Sequence, residues 1–229
     1  MVIMTYNIRG GWGIDNIRSL TRIADVIRRS GAHIACLQEV GKRWPKSQFK
    51  DQPRWLGQRL GMEFVFQPNL SIGPSGFGNL ILTRFPITFV KSHALTSVGE
   101  QRGVLEVKVI SPEGPVTIFC THWGLNSDER VVQSVETSSY IAASSTPAVL
   151  CGDLNDIDTS PSVSRLISSG LHDLAAGLCV TDATFPSDMP KCRIDFILGT
   201  SNIKAATAVV IESPASDHRP VVVEAFLQS

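Results

Sequence analysis

The hydrophobic positions of this chain fall in short runs, and most of the runs stop at a polar residue. "VIMTYNI" (2–8) opens as a β-rich segment. "DNIRSLTRIADVIRRSG" (15–31) changes period, with Ile17, Leu20, Ala24 and Ile27 recurring at spacings of three and four. That stripe predicts a helix with Asp15 as N-cap and Gly31 as its stop, and leaves Arg18, Arg22, Arg28 and Arg29 on a solvated face. "AHIACLQEV" (32–40) reads as a buried strand ending at Glu39, "PRWLGQRLG" (53–61) as a helix and "EFVFQP" (63–68) as a strand. "GNLILTRFP" (78–86), "RGVLEVKVI" (102–110) and "GPVTIFCTH" (114–122) are further strand-like runs bounded by Gly and Pro. "SDERVVQSVETSSYIAASS" (127–145) predicts a helix capped by Ser127, with acids in its first turn. "PAVLCGD" (147–153) is a strand, and "SPSVSRLISSG" (160–170) a helix with Pro161 in its first turn. "CRIDFILG" (192–199), "AATAVVIES" (205–213) and "RPVVVEAFL" (219–227) close the chain as strands. Strands outnumber helices, and many neighbours lie too close for a βαβ crossover, so a mixed or largely antiparallel α+β layered fold is expected.

The polar residues that end these runs are the chemically informative ones. Asn7 follows "VIMTY", Glu39 follows "IACLQ", His122 follows "VTIFCT", and Asp153 and Asn155 follow "AVLCG". Asp195 sits inside "RIDFIL", and "SDH" (216–218) precedes "RPVVV". Taken singly, an acid just past a strand is usually a turn former or a helix cap, and Asp156 and Asp158 are read that way. His33, His93 and His172 are read as surface or hydrogen-bonded core histidines. Taken together, strand ends that each deliver a hard oxygen donor or an imidazole favour a Mg²⁺ or Mn²⁺ site over zinc, which would want more His or Cys at ligand spacing.

Composition narrows the picture. A length of 229 residues predicts a single domain spanning 1–229, and 43% hydrophobic residues suits a globular core. Lys+Arg and Asp+Glu are both 21, so nothing in the bulk charge recommends long stretches of nucleic acid as a ligand. A local basic patch stays open. The five cysteines (Cys36, Cys120, Cys151, Cys179 and Cys192) show no CxxC pairing, which fits a reducing compartment. No apolar stretch approaches a membrane span, and "MVIMTYN" lacks the basic and apolar regions of a signal peptide. The expectation is a cytoplasmic monomer without a membrane anchor.

The ordered set "TYNIRG", "CLQEV", "GNLILTRFP", "QRG", "THWGL", "GDLND", "RIDFIL" and "SDHRPVVV" resembles the exonuclease–endonuclease–phosphatase superfamily, the DNase I-like fold, over residues 3 to about 225. The resemblance implies a four-layer α/β/β/α sandwich with its site at one end of two packed sheets. It also implies metal-dependent phosphoric ester hydrolysis, with Mg²⁺ as cofactor and Mn²⁺ as a substitute. Carried over by position, Glu39 is the main carboxylate ligand, with Asn7 beside it and Asp217 completing the metal region. Asp153 and Asn155 hold the attacking water and a phosphoryl oxygen, and His218 touches the scissile phosphate with Asp195 behind it. His122 and Arg102 match positions that line the phosphate in some branches, and Asn79 matches a structural one.

The substrate is less determined. A phosphodiester in nucleic acid or a nucleotide is the first reading. A small phosphomonoester or a lipid headgroup is the second, and a binding module that has lost its chemistry is a third, opposed by the intact set of acids and histidines. Lys42, Arg43, Lys46 and Lys50 interleave with Trp44, Phe49 and Trp55, a mixture suited to phosphates and stacked bases or equally to an ordinary surface loop. Trp123 either faces substrate or fills a layer of the sandwich. No exposed apolar hairpin or amphipathic basic helix is evident for docking on a lipid surface.

Overall fold

The computed structural model describes residues 1–228. Its order is β1 (Val2–Asn7), α1 (Leu20–Arg29), β2 (Ile34–Lys42), α2 (Gln52–Leu60), β3 (Glu63–Ile72), β4 (Ser75–Thr83), β5 (Ile87–Leu95), β6 (Arg102–Ser111), β7 (Gly114–His122), α3 (Ser127–Ala142), β8 (Ala148–Asp153), α4 (Pro161–Ser168), β9 (His172–Asp173), β10 (Asp195–Gly199), β11 (Ile203–Val210) and β12 (Val221–Leu227). The strands form two mixed six-stranded sheets, ordered β11-β12-β1-β2-β4-β3 and β5-β6-β7-β8-β10-β9.

Alternation along the strands builds the layers. In β1, Ile3 points between the sheets, where it meets Cys36, Ile81, Leu105, Ile118, Val149 and Val223. Met4 and Tyr6, on the other face, pack with Ile23 and Ile27 of α1 and Leu56 of α2. On the far side, Phe119, Leu150 and Phe196 of the second sheet pack with Ile141 of α3 and Val163 and Leu166 of α4. Helices therefore cover both outer faces of a sheet pair. This is the expected four-layer α/β/β/α sandwich. Asn79 ties the two sheets together: from β4 its Nδ2 donates to the Gly103 carbonyl at 3.0 Å and the Cys120 carbonyl at 3.4 Å, both on the opposite sheet.

Several boundaries differ from the sequence expectation. Helix α1 starts at Leu20, and its N-cap is Ser19, whose hydroxyl accepts from the Arg22 amide. Asp15 lies upstream, accepts from the Ile17 amide and pairs with Arg22, and Ile17 is exposed. A three-residue 3₁₀ turn and a bridge between Trp12 and Arg18 occupy the connection from β1 instead. Helix α3 is capped by Asn126, which accepts from the amides of Asp128 and Glu129, so Ser127 is the first helical residue rather than the cap. Strand β5 has no counterpart in the hydrophobic pattern, because it lies at a sheet edge with most of its side chains exposed.

All five cysteines are free, and Cys36, Cys120 and Cys151 are buried in the inter-sheet core. Trp123 is fully buried, its indole N–H donating to the Thr137 hydroxyl, so it fills a layer and does not face substrate. Among the described residues, no helix is long and apolar enough to cross a membrane.

Candidate active site

Strand register delivers the polar residues to one end of the sandwich. In the second sheet, β7 and β8 run parallel with His122 opposite Asp153, and β10 runs antiparallel with Asp195 opposite the same Asp153. In the first sheet, Asn7 ends β1 opposite Gln38 of β2. The β2–β4 pairing slips between Leu37 and Val40, and within that bulge Glu39 adopts φ 58°. A left-handed non-glycine residue at a bulge is strained backbone, and here it re-aims a carboxylate out of strict alternation.

Asn7 joins the two sheets. Its Nδ2 donates to Glu39 Oε1 at 3.1 Å and to Asp153 Oδ2 at 3.0 Å, while its Oδ1 accepts from the Arg9 amide at 3.0 Å. Asp153 is buried at the centre. Its Oδ1 accepts from the Asn155 amide at 3.0 Å, and its Oδ2 lies 3.4 Å from His122 Nε2 and 3.6 Å from His218 Nε2. Asn155, at φ 50°, anchors one side-chain N–H on the Trp123 carbonyl at 2.8 Å, and among the described residues no donor reaches its Oδ1.

The two imidazoles carry opposite charge states around one carboxylate. For His218, burial opposes the charged form. The Asp195, Asp153 and Asp217 carboxylates and the hydrogen bond that Asp195 accepts from the ring outweigh it and hold the imidazolium up to about 10. His218 Nδ1 is 3.0 Å from Asp195 Oδ2, which fixes the ring, and Phe185 packs tilted against it at 4.8 Å between centroids. For His122, burial dominates, and the nearby Arg102 and His218 cations add to it. Asp153 only partly opposes them, so His122 is pushed down to about 4 and stays neutral at physiological pH.

Glu39 is pushed up, first by burial and then by the Asp217 and Asp153 charges, with the Asn7 hydrogen bond pulling the other way. Burial and neighbouring carboxylates are costs that a bound cation would offset. Asp195 Oδ1 is buried with no hydrogen-bond partner among the described residues. The donor set therefore suits a hard divalent ion: Glu39, Asn7 and Asp217 are the residues that could hold it. Asp153, Asp195 and His218 also bring ligand atoms within 4.8 Å of one another. The imidazole in that trio lies 3.0 Å from Asp195 and 3.6 Å from Asp153, paired with both carboxylates.

Seven of the sequence-predicted residues thus converge: Asn7, Glu39, His122, Asp153, Asn155, Asp195 and His218. Asp217 lies beside the cluster, its Oδ2 accepting from Arg9 Nε at 3.3 Å. Arg102 is buried near His122, but its Nη1 faces Glu100 Oε1 at 3.1 Å while its Nε has no partner. Arg9 and Ser216 were given no role by the sequence. Ser216 donates to the Asn7 carbonyl at 2.7 Å and pins the "SDH" loop to the end of β1. Both lie inside quoted motifs, Arg9 in "TYNIRG" and Ser216 in "SDHRPVVV", but nothing in those motifs assigned either residue a contact.

The sequence model of the family described as "Endonuclease/Exonuclease/phosphatase family" matches residues 4–218. The "Uncharacterized protein YbhP" of Escherichia coli K12 is 26% identical over 245 aligned residues, covering 98% of this chain and 96% of that protein. A mannosyl-6-phosphatase of Bacteroides thetaiotaomicron superposes with a TM-score of 0.82 at 19% identity, covering 99% of this chain and 100% of that one. The catalytic domain of human Nocturnin, solved with a bound sulfate anion, superposes with a TM-score of 0.79 at 19% identity, covering 100% and 94%.

Proposed function

This chain belongs to the endonuclease/exonuclease/phosphatase family, and on that footing we propose that it is a Mg²⁺-dependent phosphodiesterase hydrolysing a phosphate ester in nucleic acid or a nucleotide, with Mn²⁺ as a substitute. The observation that carries this reading is Asp153, held between a protonated His218 and a neutral His122 and linked through Asn7 to Glu39.

A phosphodiester is an anion and repels an incoming hydroxide. A divalent ion on Glu39, Asn7 and Asp217 would neutralise phosphoryl charge and favour ionisation of water. The chain's own residues supply the rest. Asp153 accepts the proton of the attacking water, and the free Oδ1 of Asn155 orients that water without adding charge. The Nε2–H of His218 points into the site beside Asp153 and donates to a phosphoryl oxygen as charge builds in the transition state. Asp195 keeps that imidazole protonated and its ring oriented. His122, neutral, donates a hydrogen bond without fixing a second positive charge. The buried guanidinium of Arg102 keeps one unpartnered N–H on the same side.

The test is turnover with Mg²⁺ or Mn²⁺ on bis-p-nitrophenyl phosphate and p-nitrophenyl phosphate. Diester hydrolysis, abolished by chelation and lowered about a thousandfold or more by His218→Ala and by Asp153→Ala, is expected. Each such loss corresponds to about 4 kcal/mol of transition-state stabilisation. Activity within tenfold of wild type in either variant removes the assignment, and turnover of the monoester alone moves the chain to the phosphatases.

One observation favours a second reading, a lipid-headgroup ester. Val98, Leu125, Ile157 and Met189 are 76%, 77%, 45% and 66% exposed. They lie on loops that flank the site-bearing ends of the second sheet's strands, an exposure the sequence pattern did not reveal. Co-sedimentation with phosphatidylcholine vesicles, lost on Leu125→Ser with Met189→Ser, would favour this reading over the first.

A further inference from the structure

Beside Glu39, on the first-sheet side of the site, lies a cavity of about 400 Å³ walled by Trp12 and Phe77, with Arg9, Asn16 and Lys46 at its rim. Both rings are fixed from behind. The Trp12 indole N–H donates to the Lys46 carbonyl at 3.2 Å, and its backbone bridges to Arg18. Phe77 sits in β4 opposite Gly41, with its ring stacked on Trp44 at 5.9 Å between centroids. Arg18 reaches across to the Ser47 carbonyl and the Gln48 side chain, so the loop carrying Lys46 is bound to the loop carrying Trp12. Neither aromatic wall is part of the hydrophobic core clusters.

The charge at the rim is one-sided. Of the two cations lining it, Arg9 pairs with Asp217 at 3.3 Å, while Lys46 is exposed and has no ion-pair partner among the described residues. Rigid aromatic walls recognise a flat π-face, and unpaired cations recognise phosphate. A sugar phosphate would use the cation and lay one C–H face on a ring, whereas a flat base offers a π-face to each of the two walls. Glu39 forms the inner wall, so a group seated here is covalently within reach of a phosphate bound over Asn7 and Asp153.

We propose that this cavity is a base-binding subsite, in which Trp12 and Phe77 sandwich a nucleobase whose neighbouring phosphate is neutralised by Lys46, making the substrate a nucleotide ester. The proposal deepens the phosphodiesterase reading and rests on it for the position of the scissile phosphate. It is tested by binding and not by turnover, so the two can fail separately. Isothermal titration calorimetry on the full chain with Ca²⁺ compares adenosine 5′-monophosphate with ribose 5-phosphate and mannose 6-phosphate. Adenosine 5′-monophosphate should bind about tenfold or more tighter than either sugar phosphate. The advantage should vanish in Trp12→Ala and in Phe77→Leu and persist in Trp12→Phe, while Lys46→Ala should weaken all three ligands alike and leave the advantage unchanged. Thermal melts establish that each variant is folded. Equal affinity for the three phosphates, no binding by any of them, or an advantage that survives in folded Trp12→Ala, overturns the subsite. Loss of diester hydrolysis in His218→Ala with nucleotide binding intact would leave it standing.

Discussion

Replacing Asp195 with asparagine removes one charge and almost no volume from a fully buried position. In the native chain its Oδ2 lies 3.0 Å from His218 Nδ1, and it is the foremost of the carboxylates holding that imidazole up to about 10. At an effective dielectric of about 20, two unit charges about 4 Å apart interact by about 4 kcal/mol. Converted at about 1.4 kcal/mol per pKa unit, the loss is about three units, which brings His218 to the neutral range. Asp153, 3.6 Å from Nε2, remains to hold part of the charge. Above pH about 8 the variant would present a neutral ring where the wild type presents a cation, and kcat/KM on bis-p-nitrophenyl phosphate should fall by about a hundredfold to a thousandfold. Below pH about 6.5 the ring is protonated even at its ordinary value, and the defect should shrink. Rates across pH 6–9, with ¹⁵N NMR of the imidazole in metal-free protein, read both effects. An unmoved His218 titration, or rates within twofold of wild type at every pH, would refute the reasoning.

Two other outcomes follow from the same contacts. In metal-free protein, stability should peak near the ordinary histidine value of about 6.5. His122 binds its proton less readily folded than unfolded, so its contribution is present above that value and is lost as pH falls toward about 4. His218 binds its proton more readily folded, so its contribution is complete below that value and is lost as pH rises through about 10. Chemical denaturation at several pH values checks this, and His122→Gln should flatten only the acid side. Asn79→Ala should cost about 1–3 kcal/mol, because it strips a donor from buried carbonyls that join the two sheets, while kcat/KM stays within a few-fold. A larger loss of activity than of stability would mean Asn79 acts in the site.

Much of this architecture is readable from the chain because two sheets packed face to face demand alternation. Ile3 faces one layer and Met4 another, and short runs such as "AVLCGD" end where the strands end. The acids legible in sequence are those that interrupt such runs: Asp153, Asp195 and Glu39. Edge strand β5 was illegible because one face of an edge is not forced to be apolar. The cap of α3 was displaced by one residue because Asn126 and Ser127 are both competent cap residues, and only the backbone decides which accepts the amides. The bulge that turns Glu39 inward left no mark, since nothing in "LQEV" requires a left-handed residue. The Trp12–Phe77 cavity joins residues that only the fold brings together, 65 positions apart in the chain.

The central claim is that a single divalent ion sits on Glu39 beside the Asp153–His218 pair. Anomalous diffraction from crystals soaked in Mn²⁺ tests it most directly. The account predicts one strong peak about 2.1 Å from a Glu39 carboxylate oxygen, adjacent to Asn7, absent in Glu39→Gln crystals, with His218 still paired to Asp195. A peak bound instead by Asp153, Asp195 and His218, with Glu39 remote from it, would contradict the account.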